Sequence, residues 1–521
     1  MRLLRSTAVI ASLTLVSRVL GLVRDMLIAR YLGAGSVSDA FFTAFKLPNV
    51  FRRMFAEGAF NAAFVPLYAK RIEQEGDAQA DRFASEAASA LVGTVALIVI
   101  AFQLTMPISL NVIGFGLDRA AGPDGVRPYD LAVLYAVVTM PYLLFMSVTA
   151  LFSGVLNTRG RFALAAGVPI LLNVCMISGL LFVARLGGGP VASGHALSIA
   201  VVLSGVLQAG AVIWGAKRAG FALTLRRPRL TPGVRRLVTL GIPGLISAGI
   251  TQINLLVSHN IATTQSKAAS FLTYADRLYQ LPLGMIGIAM GVALLPSLSR
   301  SLRAGAEDDA MDSLNRAVEL SMLFTLPAAA ALFVIPEPLI AGLYERGMFT
   351  ADTTVQVAKA LRWFALGLPA FVLLKVLTPA FFARENTKTP MVWAGVNAAI
   401  NVGVGYALFR QIGFEGLAIG TAVAAWVNAV GLWIVLARTR HFVTDRRLWT
   451  RLPRITLAAL AMGVFLLWAG RFLPDLGASG IATDLAALLA ICGAGAFVFA
   501  VAATLFRAYG LADVKNAFKR S

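Results

Sequence analysis

The chain has 521 residues, of which 58% are hydrophobic and only 14% are charged, and its formal net charge is +20. A mean hydropathy of +0.76 lies far outside the range of soluble proteins, which argues against a water-soluble globular fold. The basic residues are spread over the connections between apolar segments rather than gathered in one patch, so no nucleic-acid partner is expected.

Apolar stretches of about twenty residues recur along the chain, each long enough to cross roughly 30 Å of hydrocarbon. They predict an all-α integral membrane protein with fourteen transmembrane helices. The first resembles a signal peptide until Arg18 interrupts its apolar run, and we interpret it as a retained helix. The predicted spans are 7–31, 38–66, 87–116, 130–156, 163–184, 195–216, 237–260, 270–298, 317–336, 354–383, 390–410, 414–437, 455–471 and 484–506.

The charges of the connecting loops predict the orientation of these helices. The two termini and the loops on their side contain 29 of the 46 Lys and Arg residues, whereas the opposite loops contain 7. An excess of basic residues marks the cytoplasmic side of a membrane protein. Both termini are therefore predicted to be cytoplasmic.

Motifs for catalysis and metal binding are missing from the sequence. The three histidines form no metal-ligand spacing, and there is no phosphate-binding loop and no nucleophile or zinc-protease motif. We therefore predict no catalytic residues, no metal and no cofactor, which disfavours an enzyme or an ATP-driven pump.

Two parts of the sequence resemble each other and suggest a duplication. LNTRGR at 156–161 recurs as ENTKTP at 385–390, an offset of 229 residues, and a nearby match places Asn173 on Asn401. We expect these two asparagines to make hydrogen bonds between helices rather than to contact a substrate.

The duplicated unit contains six predicted helices. Because six is even, both copies cross the membrane in the same orientation, which predicts two parallel lobes, 1–225 and 231–440. Residues 450–521 then contain the extra helices 13 and 14. In a two-lobed membrane protein of this kind, the substrate site is expected near the midplane between the lobes.

Ten basic side chains lie inside the predicted spans. A cation at bilayer depth costs at least a few kcal/mol, so such residues usually face a water-filled cavity or a partner. Six of them fall within the first 53 residues, which makes this region the candidate functional site. The ten are Arg18, Arg24, Arg30, Lys46, Arg52, Arg53, Arg277, Lys359, Arg362 and Lys375.

The charges of the candidate site do not balance. Its members are the cations Arg18, Arg24, Lys46, Arg52, Arg53 and Arg277 and the acids Asp25, Asp39, Glu57 and Asp276. An excess of positive charge in a buried site favours an anionic ligand, because an unpaired buried charge is costly. Arginine donates two parallel hydrogen bonds to a phosphate, so a polyphosphate headgroup would fit. The alternative is that these residues cap helix ends or pair with neighbouring acids.

The roles of the last three intramembrane cations stay open. Lys359 and Arg362 can lie near the outer surface and extend to water. Lys375 can line a cavity or form a satisfied ion pair.

Three segments carry a family resemblance. They are SRVLGLVRDMLIARYLGAGSVSDAFFTAFKLPNVFRRMFAEGAFNAAFVP (17–66), FLTYADRLYQLPLGMIGIAMGVALLPSLSR (271–300) and PAFFARENTKTP (379–390). Together they resemble the MurJ (MviN) family of lipid II flippases, within the multidrug/oligosaccharidyl-lipid/polysaccharide exporter superfamily. The chain departs from some relatives at Gln280 and Asn386, where an acid is often found.

The resemblance implies a fourteen-helix protein of the bacterial cytoplasmic (inner) membrane. Such a protein moves the undecaprenyl-pyrophosphate-linked peptidoglycan precursor, lipid II, from the inner to the outer leaflet for cell-wall biosynthesis and cell shape. The resemblance further implies pyrophosphate binding by Arg18, Arg24, Arg52 and Arg277, with Asp39 as an acidic companion. Helices 13 and 14 of 450–521 would form a groove for the lipid tail.

The sequence thus predicts a transporter that works by alternating access, with lipid II and membrane lipids as partners and cell-wall synthesis proteins as further candidates. In this hypothesis Asp25 and Asp39 orient the arginines, and Lys46, Arg53, Glu57 and Asp276 support the cavity. The energy source, whether a coupling ion or the membrane potential, is left open. The alternatives are a flippase for another polyprenyl-linked glycan, a drug/cation antiporter of the same superfamily, and a non-transporting cell-wall scaffold.

Overall fold

The protein is described by a computed structural model. It describes residues 2–54, 60–120, 125–221, 224, 228–477 and 480–509. Throughout these residues the structure is helical and contains no β-strand, which confirms the predicted all-α fold class. In the same part of the chain, ten helical segments are long and apolar enough to cross a membrane, with Pro128–Thr158 counted as one segment, and the count of fourteen stays a prediction.

The chain forms two compact units, one up to Ser270 and one from Phe271 onward. The first unit ends within the first turn of the helix Ala268–Arg303. The helices of that unit are α1 (Arg2–Leu32), α2 (Ser36–Arg52), α3 (Phe60–Glu75), α4 (Asp77–Leu104), α5 (Met106–Ile113), α6 (Pro128–Thr139), α7 (Tyr142–Thr158), α8 (Phe162–Arg185), α9 (Pro190–Arg218) and α10 (Pro232–Thr263).

The second unit contains most of α11 and the remaining helices. A single 3-10 turn, Gly470–Phe472, extends the end of α17. The helices are α11 (Ala268–Arg303), α12 (Glu307–Val334), α13 (Pro336–Tyr344), α14 (Ala351–Phe382), α15 (Lys388–Ile412), α16 (Phe414–Arg438), α17 (Arg446–Ala469) and α18 (Ile481–Leu505).

All fourteen predicted spans overlap a helix, and two of them are divided within the described residues. A third span, 38–66, contains parts of α2 and α3 and includes residues 55–59, which the structure does not describe. The span 87–116 is divided into α4 and α5, and 130–156 into α6 and α7. Pro107 lies in the first turn of α5 and Pro141 immediately precedes α7. Proline has no backbone N–H and clashes with the preceding turn, so a continuous helix is interrupted at these points.

An aromatic and polar cluster holds α3, α4 and α7 together at one end of the first unit. Phe64 stacks on Tyr68 with ring centroids 5.5 Å apart, and both side chains are fully buried. The Tyr68 hydroxyl donates to Asp81 at 2.8 Å, while Arg159 donates to the same carboxylate at 2.6 Å. Burial first, and then this bond to Asp81, raise the pKa of Tyr68, so the phenol remains a donor.

Helix α10 packs within the first unit. Thr231, its N-terminal cap, accepts from the Val234 amide and donates to Glu86 of α4 at 2.9 Å. The internal repeat assigns α10 to the second predicted lobe, 231–440. The structure places α10 in the first compact unit, because the boundary between the two units lies between Ser270 and Phe271. The division into duplicated lobes at 225 and 231 therefore stays a prediction.

Small residues bring α15 and α16 of the second unit close together. A Cβ atom built on Gly420 would lie 2.6 Å from the Cα atom of Gly405, a distance that no side chain allows. One helical turn before Gly405, Asn401 accepts a hydrogen bond from Thr421 of α16 at 3.1 Å. Close backbone approach of this kind is the usual way in which apolar helices pack in a membrane.

A buried acid fixes α17 to α12. The Glu319 side chain is fully buried and accepts from Arg316, from Arg447 at 3.2 Å and from Arg451 at 2.6 Å. Asp445, which also pairs with Arg316, caps α17 through a 2.6 Å bond from the Leu448 amide. Acidic and basic groups therefore neutralise one another where the first of the two extra helices begins.

A second buried acid fixes α18 to the end of α13. Asp484 is fully buried, pairs with Arg346 and accepts from the Gly477 amide at 3.0 Å. The two extra helices are thus each held by one buried carboxylate.

Replacing Glu319 with glutamine should destabilise the protein by about 3 kcal/mol. The value is at the low end for breaking a buried ion pair, since the three arginines keep some contact with water. Asp312→Asn is the matched control, because this carboxylate pairs with the same Arg316 but is 70% exposed. Its effect should stay within about 0.5 kcal/mol. Thermal unfolding of the purified variants in detergent measures both, and equal transitions would contradict this role for Glu319.

Candidate functional site

Helix α1 carries the best-ordered charge pair of the candidate site. The Arg24 guanidinium donates to Asp25 Oδ1 from Nε at 3.0 Å and from Nη2 at 2.8 Å. Its Nη1 donates to Asn173 Oδ1 at 2.9 Å. Arg24 is only 7% exposed. A buried cation is therefore held in a fixed orientation by one acid and one neutral amide.

Asn173 of α8 connects this pair to the backbone of α1. Its side-chain amide donates to the Ser17 carbonyl at 2.9 Å while its oxygen accepts from Arg24. Gly21 faces the asparagine, and a Cβ atom built there would lie 3.8 Å from Asn173 Nδ2. The expected hydrogen bonding between helices is thus present, and one end of it reaches a candidate site residue.

Arg18 lies on α1, one helical turn and a half before Arg24, and its side chain is partly exposed. Seven residues separate Arg18 from Asp25, and this spacing predicts a shared helix face. The structure nevertheless pairs Asp25 with its immediate neighbour Arg24.

Arg52 and Arg53 lie at the C-terminal end of α2. Arg52 Nε donates to Asn49 Oδ1 at 3.2 Å, and the Asn49 amide donates to the Phe45 carbonyl at 2.9 Å. Arg53 is the C-terminal cap of the helix and is exposed. Positive charge at a helix C-terminus is favourable, so both the local structure and an anion site account for these positions. Glu57 lies outside the described residues.

Asp39 at the start of α2 binds a turn rather than an arginine. Its carboxylate accepts from the Lys267 amide at 2.9 Å, from the Ser270 amide at 2.9 Å and from the Ser270 hydroxyl at 2.5 Å. Ser270 lies in the first turn of α11, where backbone N–H groups have no acceptor within the helix. Asp39 therefore supplies the N-terminal acceptors for α11.

Lys46 lies two turns after Asp39 on α2. One turn before Lys46, Thr43 forms a 3.0 Å hydrogen bond with Nε2 of His259, a buried residue of α10. Asp39, Lys46 and Arg53 share one face of α2 because of their spacing. For at least part of its length, this face of α2 lies against α10 and the turn that follows it.

Helix α11 in the second unit carries Asp276 and Arg277, both partly buried. Gln280, one turn later, donates a side-chain hydrogen bond to Asp276. This glutamine adds a donor to the carboxylate rather than a second negative charge.

Two of the cations whose roles were open form ion pairs in the second unit. Arg362 pairs with Glu337 at 3.0 Å, and Lys359 lies 3.8 Å from Glu415. Both basic side chains are partly exposed, so these ion pairs contribute little energy. Lys375 is exposed.

The second unit also contains an apolar groove of about 510 Å³ between α12, α17 and α18. Its walls are almost purely hydrocarbon, which suits an aliphatic chain and would not hold a charged headgroup. It lies along the two extra helices, where a lipid-tail groove is predicted. The residues that line it include Phe324, Pro327, Met462, Leu466, Ala496 and Phe499.

The donors of Arg24 decide what the candidate site can bind. Three of the five N–H donors of Arg24 are used by Asp25 and Asn173 among the described residues, which leaves two for a ligand. Over the same residues, no group of three or more His, Cys, Asp or Glu side chains could hold a metal ion. Fixed guanidinium groups are suited to phosphate oxygens.

Comparison with known families agrees with this description. A family model described as "Lipid II flippase MurJ" matches residues 28–486. The chain belongs to the MurJ family.

Relatives in other bacteria match along almost the entire chain. A probable lipid II flippase MurJ of Rhizobium meliloti (strain 1021) is 44% identical over 512 residues, covering 96% of this chain and 94% of that protein. A lipid II flippase MurJ of Burkholderia cenocepacia is 34% identical over 503 residues, covering 94% of this chain and 95% of that protein.

Solved structures support the fold. A lipid II flippase MurJ in an inward closed conformation superposes with a TM-score of 0.78 at 24% identity, covering 95% of this chain and 98% of that one. An inward-facing MATE family transporter of the MOP superfamily superposes with a TM-score of 0.70 at 18% identity, covering 83% of this chain and 98% of the other. These likenesses show that the chain shares the fold of both proteins.

The sequence pointed to the charged residues but not to two of their hydrogen-bond partners. These are Asn49, which contacts Arg52, and the Lys267–Ser270 turn, which contacts Asp39. Asn49 precedes Arg52 by three residues, a spacing at which helical side chains meet, so a signal was present. The turn that binds Asp39 is 228 residues away in sequence and left no local signal.

Replacing Asp39 with alanine should loosen the start of α11. Its removal leaves the buried Ser270 amide without an acceptor, at a cost of about 2 kcal/mol. Ser270→Ala is the control, because it removes the hydroxyl bond and keeps both backbone bonds. Hydrogen exchange should therefore accelerate by about tenfold or more in peptides covering 264–272 of Asp39→Ala, and much less in Ser270→Ala. Similar exchange in the two variants would refute the capping role.

Proposed function

We propose that this chain is a lipid II flippase, which moves the undecaprenyl-pyrophosphate-linked precursor of peptidoglycan from the inner to the outer leaflet. The observation that carries the proposal is the fixed, buried Arg24 in a chain 44% identical to a probable lipid II flippase. An oriented guanidinium in an apolar helix bundle needs an anionic ligand or a structural reason, and pyrophosphate is the anion that this family implies.

Arg18, Arg24, Arg52 and Arg277 bind the pyrophosphate in this proposal. Asp25 orients Arg24 and neutralises it when no substrate is bound, as their 2.8 Å contact supports. Asp39, Lys46, Arg53, Glu57 and Asp276 support the same cavity, with Asp39 acting through the start of α11.

The polyprenyl tail stays in hydrocarbon while the headgroup crosses. The apolar groove supports this part of the proposal, because it has the chemistry of an isoprenoid chain and lies where the two extra helices, α17 and α18, meet α12 of the second predicted lobe. The lobes, 1–225 and 231–440, alternate between inward and outward access, and 450–521 guides the tail. The buried Glu319 and Asp484 hold these extra helices in place.

The protein lies in the bacterial cytoplasmic membrane with both termini in the cytoplasm, in keeping with the excess of basic residues on that side. It catalyses no covalent chemistry and has no cofactor. Transport uses the membrane potential or a coupling ion. Cell-wall synthesis proteins that consume lipid II on the outer face are its functional partners.

Transfer of lipid II in proteoliposomes, with and without an imposed potential, tests the proposal. A flippase exposes inner-leaflet lipid II to an externally added modifying enzyme, whereas a scaffold leaves it protected. Competition by a different polyprenyl-linked glycan would indicate a broader substrate range. Cation-coupled drug uptake without lipid transfer would support an antiporter instead.

Replacing Arg24 or Arg277 with alanine should lower the transfer rate by about 100-fold, as expected for two lost charge-assisted hydrogen bonds. Arg24→Lys keeps the charge and loses the planar fork, so it should retain more activity than Arg24→Ala. Transfer per reconstituted molecule is the measurement, and protein abundance in the membrane is recorded in parallel.

Arg410→Ala is the matched control for these variants. This arginine is exposed in the last turn of α15 and should be replaceable without a change in rate. Full activity of Arg24→Ala or Arg277→Ala would remove that residue from the proposed site.

Replacing Ala496 with tryptophan should obstruct the apolar groove, which Ala496 lines. We expect about tenfold slower transfer of long-chain lipid II. This decrease corresponds to the free energy lost when about two methylene groups of the tail are no longer buried in the groove. A lipid II analogue with a short farnesyl chain should be transferred at the normal rate, because it does not fill the groove.

Ala494→Trp provides the comparison on the same helix. Ala494 lies two residues before Ala496. Its side chain is exposed and is not among the groove-lining residues. Equal inhibition by the two tryptophans, or inhibition that ignores chain length, would exclude the groove as the tail site.

A further inference from the structure

Asn173 uses both ends of its side chain on α1. Its oxygen accepts from Arg24 Nη1 at 2.9 Å, and its nitrogen donates to the Ser17 carbonyl at 2.9 Å. The residue is 5% exposed, so these bonds form away from bulk solvent. An asparagine that is fixed at its nitrogen presents its oxygen in one direction only, and that direction is the guanidinium.

We infer that Asn173 is a positioning residue for substrate binding, which holds the Arg24 guanidinium in the orientation that receives the pyrophosphate. The inference rests on the proposed function, since it requires Arg24 to bind substrate. Asn173 itself does not contact the ligand. It acts by fixing one terminal nitrogen of Arg24, while Asp25 fixes Nε and the other terminal nitrogen.

A neutral amide is suited to this task because it orients the arginine without adding charge. Asp25 already supplies a carboxylate to Arg24. A second carboxylate at position 173 would lower the positive charge that the proposed site offers to an anionic ligand. An asparagine supplies the same acceptor oxygen at no electrostatic cost to substrate binding.

The duplicated sequence provides a comparison residue. Asn401, the repeat counterpart of Asn173, is also 5% exposed and accepts a hydrogen bond from Thr421 of α16 at 3.1 Å. The two asparagines therefore both join neighbouring helices. Loss of either should have a similar effect on stability, whereas only Asn173 should affect the binding of lipid II.

The test measures lipid II affinity of the full chain in nanodiscs for Asn173→Ala, Asn401→Ala, Arg24→Ala and the Arg24→Ala/Asn173→Ala double variant. We expect about tenfold weaker binding for Asn173→Ala, the typical effect of one hydrogen bond to a charged group. Asn401→Ala should bind within about twofold of the unsubstituted chain. The double variant should bind no more weakly than Arg24→Ala, because Asn173 acts only through Arg24.

The outcomes separate this inference from the proposed function. If Arg24→Ala weakens binding and Asn173→Ala does not, or if the two effects add, the positioning role is refuted and the flippase proposal stands. If Arg24→Ala binds normally, both the arginine site and the inference fall.

Asn173→Asp provides a second test that does not depend on removing the side chain. It keeps an acceptor oxygen beside Arg24, loses the donor to the Ser17 carbonyl and adds negative charge. We expect weaker lipid II binding than in Asn173→Ala, and thermal unfolding recorded in parallel measures the cost of the lost bond to Ser17. Normal affinity in Asn173→Asp would overturn the inference, since a purely structural acceptor would tolerate the carboxylate.

Discussion

The structure depends on one constraint, which is that a charge inside an apolar helix bundle must have a partner. Two groups of residues meet it in different ways. Around Glu319 three arginines converge on a fully buried acid, and further carboxylates complete the neutralisation. At Arg24 the arginine is the buried centre, and its partners are one acid and one neutral amide.

This difference in partners distinguishes the ion-pair clusters that connect helices from the binding site that we propose. The Glu319 and Asp484 clusters bring opposite charges together and join helices at fixed points, which suits a structural role. Arg24 pairs with one acid, Asp25, and with the neutral Asn173, and Arg18 lies on the same helix. In the proposed function, the oriented guanidinium of Arg24 receives the anion.

Apolar periodicity was sufficient to predict where the helices lie, because every predicted span overlaps one. Apolar periodicity did not predict helix breaks or short helices. Two predicted spans are interrupted at Pro107 and Pro141, and the nine-residue α13 is too short to show a membrane-spanning pattern. Composition singled out the cations that we predict for the site, since each stands out in an apolar run. Their partners, such as the turn at Ser270 for Asp39, depend on contacts between distant parts of the chain.

Transport adds a requirement that a simple binding protein does not have, because the substrate must be released on the far side. An arginine with all five N–H donors directed at a pyrophosphate would bind it tightly. In the described structure, Asp25 and Asn173 engage three of those donors, which leaves two for the ligand of the proposed function. In that proposal, the contacts that orient Arg24 also limit how strongly it holds the substrate. Preorganisation reduces the entropy cost of binding, and partial occupancy of the donors keeps the bound state from becoming a trap.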